Sequence, residues 1–90
     1  MLVAVFGRKG TGGRVLYGYR VIAEVETWSY TPEPNGKGEG TVEVTLTDLH
    51  PAYAHKSDVS LELVGKTGTL RWPSAELLSD TCLVVPGPPQ

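Results

Sequence analysis

Val15-Leu16-Tyr17-Gly18-Tyr19-Arg20-Val21-Ile22-Ala23-Glu24-Val25 is the stretch on which the fold turns. Its odd positions carry Val15, Tyr17, Tyr19, Val21, Ala23 and Val25, while Gly18, Arg20 and Glu24 fall among the even ones. An apolar side chain at every second residue marks a strand with one covered face, because successive side chains of a pleated chain point to opposite sides. The pattern predicts a long half-buried strand with its odd face inward. Gly18 in mid-run predicts a bend or a close backbone approach. Beyond Val25 the parity breaks, since Trp28 and Tyr30 fall on the face that carries Glu24 and Glu26. Either the strand bulges and changes face, or two aromatics stand exposed. Whether residues 14–30 make one bent strand or two stays open at this point.

Working outward, Thr31-Pro32-Glu33-Pro34-Asn35-Gly36-Lys37-Gly38-Glu39-Gly40 is a connection, given two prolines and an Asn-Gly pair. Thr41 to Leu49 alternates again, with Val42, Val44 and Leu46 inward. His50-Pro51-Ala52-Tyr53-Ala54-His55 is a break without an assignment. Val59 to Leu63 is another alternating strand, Gly65-Lys66-Thr67-Gly68 a turn, and Thr69 to Trp72 a short strand. Pro73 pre-sets a helical φ and predicts one 3₁₀ or helical turn at residues 74–78. Leu83 to Val85 forms the last strand, and Pro86-Gly87-Pro88-Pro89-Gln90 reads as a disordered proline-rich tail.

These elements predict an all-β domain over residues 1–85, a small five- to six-stranded barrel or sandwich. The passage from Gly68 through Trp72-Pro73-Ser74 to Leu78 resembles the closure of SH3-like barrels: a strand, one 3₁₀ turn, a final strand. The resemblance is one of fold and carries no function with it.

Composition bounds the function. Ninety residues, 40% apolar and 20% charged, suit one small core and exclude a Rossmann domain or a TIM barrel. Eleven glycines and seven prolines favour short strands over long helices. The single cysteine, Cys82, lies in the apolar run Cys82-Leu83-Val84-Val85 and reads as a small core hydrophobe in a reducing compartment. No basic leader precedes a long apolar stretch, and no run approaches the ~20 apolar residues of a membrane helix. A soluble, cytoplasmic protein with no membrane contact is expected.

The net charge of −2 is unevenly spread. Residues 1–20 hold Arg8, Lys9, Arg14 and Arg20 and no acid; the rest holds four bases against all ten acids. Such asymmetry points to an acidic partner or to self-complementary surfaces. The glycine-rich stretch Gly7-Arg8-Lys9-Gly10-Thr11-Gly12-Gly13-Arg14 begins like a phosphate-binding loop. Gly13 and Arg14 stand where that loop needs Lys and Ser or Thr, and the next segment is strand-like where a helix must open. What survives is an anion nest of glycine N–H groups flanked by bases. His50 and His55, with Asp48 and Asp58, match no zinc spacing, so no metal or cofactor is expected. Glu24 and Glu26 share a strand face with no cleft implied, and no nucleophile has a basic partner, so catalysis is not expected.

The expected function is a non-enzymatic binding or assembly module acting on another protein or on copies of itself. Its contact residues are Arg8, Lys9, Arg14, Arg20, Trp28 and Tyr30. The segment Leu2 to Phe6, apolar at every position, needs cover that a neighbour's sheet edge would supply. Two alternatives share those residues or that interface. One is a barrel binding a nucleic acid, a nucleotide or another anion, which the acidic overall balance disfavours. The other is an enzyme whose site is shared between subunits.

Overall fold

A computed structural model describes residues 8–32, 39–66, 68–87 and 89. The apolar segment Leu2 to Phe6 and the tip of the 31–40 connection lie outside them. Seven strands are formed: β1 (Arg8–Thr11), β2 (Gly13–Tyr17), β3 (Arg20–Thr31), β4 (Gly40–Thr47), β5 (Val59–Gly65), β6 (Gly68–Ser79) and β7 (Cys82–Val85). All pairings are antiparallel. Two meanders, β2-β3-β4 and β5-β6-β7, join through β2–β5 and β4–β7, and so six strands close into the expected small barrel. β1 is additional and pairs with β3 alone. No described helix is long and apolar enough to cross a membrane.

Residues 15–25 are not one strand. The chain reverses at Gly18-Tyr19, where Tyr17 pairs with Arg20 and Gly18 has φ 64°. A two-residue hairpin turn demands a positive φ at its first or both central residues, which glycine supplies without a Cβ penalty. The apolar alternation runs through this turn unbroken, which is why it reads as a single strand. After it, two bulges reset the parity of β3. Val15 pairs with Ala23 but Leu16 with Val21, leaving Ile22 as the extra residue, and both Ile22 and Ala23 are buried. Val25 pairs with Leu46 but Thr27 with Thr45, leaving Glu26 extra. This second bulge turns Trp28 and Tyr30 inward, to 4% and 6% exposure. The strand therefore changes face, and these two aromatics are core residues, not an exposed pair.

The helical turn expected at residues 74–78 is strand. β6 runs through it with Ala75 and Leu77 buried and Glu76 and Leu78 exposed. Leu61 pairs with Trp72 and Val59 with Ala75, so Pro73 and Ser74 bulge opposite Ser60, and the missing N–H of Pro73 falls where the ladder is already interrupted. Ser60 Oγ donates to the Pro73 carbonyl at 3.0 Å. The one 3₁₀ turn described lies at Pro51–Tyr53, in the unassigned break, where His50 Nδ1 accepts from the Ala52 N–H at 3.0 Å. Asp48, His55 and Asp58 take positive φ values of 63°, 68° and 61°, the work of turn residues. The tail is pinned at its start, for Gly87 is buried and its carbonyl accepts from Trp72 Nε1 at 2.7 Å.

Sixteen apolar side chains form the core, among them Val15, Leu61, Leu63, Leu77 and Leu83 at 0% exposure, with no polar or charged residue buried among those described. Cys82 is not one of them: it is half-buried, while its neighbours Leu83 and Val85 take the inner face.

Candidate binding site beside the first strand

β1 and β2 form one ribbon along β3 with a break at Gly12. Gly10 pairs with Trp28 and Arg14 with Glu24, so the register is kept across the break. The other edge of the ribbon behaves differently. β2 pairs with β5 from Leu16–Ser60 to Gly13–Leu63, and the Val64 N–H donates to the Gly12 carbonyl at 3.1 Å as the last link. Past that link β1 has no strand partner on this side among the described residues, and alternate N–H and C=O groups of an edge strand point outward. Glycine is required at the parting. Gly13 has φ 150°, and a Cβ there would stand 2.4 Å from the Glu62 carbonyl oxygen.

Between β1 and the β5–β6 turn lies a cavity of about 340 Å³ lined by Arg8, Lys9, Trp28, Gly65, Lys66, Gly68 and Leu70. Trp28 and Leu70 give it apolar walls. The indole lies close against Gly10, where a Cβ would come within 2.8 Å of Trp28 Cζ2. Trp28 Nε1 is buried and has no hydrogen-bond partner among the described residues. Such a donor costs about 1–3 kcal/mol when left unpaired. The side chains of Arg8 and Lys66 bring positive charge to the cavity, no acid lines it among the described residues, and Lys9, one step along the pleat from Arg8, belongs to the outer face of β1. Burial pushes the Tyr30 phenol above its ordinary pKa, and the Arg8 guanidinium acts in the opposite direction.

Of the six residues expected to form a contact surface, Arg8 and Trp28 come together here, while Lys9 borders the cavity by its backbone position and shares the outer face of β1 with Thr11. Arg14 stands apart. It lies on the barrel wall, with Nε 2.8 Å from Glu62 Oε1, and Arg71 Nε shares the same carboxylate at 3.2 Å. The hydrogen bond from Arg14, helped by Arg71, lowers the Glu62 pKa. Arg20 stands beyond the Gly18 hairpin turn, 3.5 Å from the Tyr53 hydroxyl. Tyr30 packs edge-on against Trp72 at 5.0 Å. Nor do the described glycines make an anion nest: Gly10 and Gly13 belong to strands, the Gly12 N–H donates to the Glu26 carbonyl at 3.0 Å, and Gly7 lies outside the described residues.

Lys66 and Leu70 escape a reading of the sequence because more than fifty residues separate them from Arg8. Their one local signal is the turn Gly65-Lys66-Thr67-Gly68. Truly exposed aromatics occur elsewhere, at the β2–β3 turn, where Tyr19 is fully exposed and Tyr17 41% exposed. Lys56 Nζ sits 5.0 Å from the centre of the Tyr17 ring, and Tyr53 packs beside it at 6.0 Å. On the outer face of β1, β3 and β4 a broad open depression is lined chiefly by hydroxyl side chains, including Thr11, Thr27, Ser29 and Thr45. No group of three or more His, Cys, Asp or Glu side chains placed to hold a metal occurs among the described residues. No protein-family model matches the chain, and no curated protein or solved structure matches it.

Proposed function

We propose that this chain is a non-enzymatic docking module that binds another polypeptide by adding a strand to β1. The observation that carries the reading is the parting at Gly12: among the described residues, an unpaired strand edge runs beside a cavity lined by Trp28, whose buried N–H has no partner there. In strand addition, main-chain hydrogen bonds supply affinity and pockets for alternate side chains supply selectivity. Both parts are present side by side. The positive charge around the cavity would speed encounter with a negative partner more than it would tighten the final complex.

The test is amide hydrogen exchange on Arg8–Thr11 with a displayed library of extended twelve-residue peptides, together with sedimentation of the chain alone. Selected peptides are expected to slow exchange in β1 and to leave the β2–β3 turn unchanged. If sedimentation shows concentration-dependent association that slows the same amides, the partner includes a second copy. Binding peptides that leave β1 exchange untouched defeat the proposal.

A further inference from the structure

The structure assigns the partner a chemistry: we infer that the cavity beside β1 takes an acidic extended segment that places an apolar side chain near Trp28 and a carboxylate two residues away against Arg8. This deepens the docking reading and depends on it. The spacing comes from the pleat. Arg8 pairs with Tyr30 and Gly10 with Trp28, and since both aromatics face inward, Arg8 and Gly10 belong to the inner face of β1. An added strand presents residues i and i+2 to that same face. Its residue beside Gly10 meets a position without a side chain, next to the indole and Leu70, and an apolar group fits there. The residue two places along lies beside Arg8, with Lys66 also on the cavity wall. A carboxylate there meets bases without a resident acid to compete.

The segment comes from a different protein. Where other described strands extend beyond their partners on one side, at Arg20–Ala23 of β3, Thr45–Thr47 of β4 and Gly68–Ala75 of β6, the residues include Arg20 and Arg71 and no acid. Any of these edges in a second copy would bring a base or no charge against Arg8, never the carboxylate.

Three labelled ten-residue peptides test this by fluorescence anisotropy: one with Leu and Glu two positions apart, one with Lys in place of Glu, and one with the Leu and Glu made adjacent. A twelve-nucleotide single strand and inorganic phosphate serve as competitors. The first peptide is expected to bind at least ~10-fold more tightly than either other, the size of one favourable charge pair in a half-buried site. It should also shift the Trp28 indole proton resonance, assigned with Trp28→Phe. Arg8→Gln should remove most of that preference, and because Arg8 is exposed this variant keeps its fold. Equal binding of all three peptides with slowed exchange in β1 overturns the inference and leaves the docking reading standing. No peptide slowing exchange in β1 brings down both. Tighter, salt-sensitive binding of the oligonucleotide, or displacement of the peptide by phosphate alone, overturns the inference in favour of a general anion site.

Discussion

Two tryptophans share one core, and their surroundings differ most in how the indole N–H is answered. Trp72, on β6, is 1% exposed, packs edge-on to Tyr30 and donates its N–H to the Gly87 carbonyl. Trp28, on β3, is 4% exposed and packs under Gly10, but its N–H meets no acceptor among the described residues. Around Trp72 the chain completes itself, because Gly87, two residues past β7, supplies the acceptor. Around Trp28 the ribbon of β1 and β2 parts from β5 and leaves a gap. A barrel this small needs its large side chains for stability, so a buried indole is expected; one whose donor is unanswered among the described residues marks the side where β1 leaves the barrel wall.

The largest effect should come from replacing each tryptophan in turn. Trp72→Phe removes ring volume and also strands a buried carbonyl, and should lower stability by about 3 kcal/mol. Trp28→Phe loses similar volume but also deletes an unpaired donor, so its cost should be about 1–2 kcal/mol. Urea unfolding followed by far-ultraviolet circular dichroism reads both. Equal costs would break the comparison, for they would mean that the Trp28 N–H is bonded after all.

Gly10→Ala sharpens the same contrast at about 2 kcal/mol. The new methyl would stand 2.8 Å from Trp28 Cζ2 and force the indole toward the cavity, a small-to-large strain of the usual size. The expected signature is a changed Trp28 indole resonance beside an unchanged Trp72 one. If both move together, the two rings form one rigid unit and the gap beside β1 is not independent of the rest of the core.

The barrel was legible because alternation survives in β4 and β5, where Val42, Val44, Val59, Leu61 and Leu63 all face inward as their spacing predicts. What misleads is parity. One extra residue at Glu26 turns Trp28 and Tyr30 from outside to inside, and nothing in the residue types tells a bulge from an exposed pair. A hairpin turn can hide the same way: Gly18-Tyr19 keeps the apolar rhythm of its flanks and passes for mid-strand. Pro73 shows the converse, a helix-start signal in a position where a bulge is the better use of a missing N–H. Part of the candidate site was visible as Arg8 and Trp28. The other part, Lys66 and Leu70, depends on the β2–β5 pairing that brings distant segments together. Charge counting could not separate Arg14 from Arg8, because only the fold shows which base already has a carboxylate.

That last distinction carries the smallest prediction. Glu62 is bonded by Arg14 and Arg71 on the barrel wall, whereas Arg8 faces the cavity with no acid on its lining among the described residues. Glu62→Gln should therefore cost about 1 kcal/mol at neutral pH, the upper range for a partly exposed ion pair, and Arg8→Gln should cost nothing measurable. The pH dependence has a definite sign. The folded pKa of Glu62 lies below its unfolded value, so the native state binds fewer protons in that range. Its contribution is complete above the unfolded pKa of about 4.3 and disappears as pH falls through the lower folded value. The stability difference between the chain and Glu62→Gln should thus stay constant from pH 7 to about 5 and shrink in stronger acid, and added salt should reduce it at every pH. A difference that persists in acid would mean that Glu62 acts through the hydrogen-bonding shape of its carboxyl group and not by its charge, and that the bases on the wall are no better satisfied than those at the cavity.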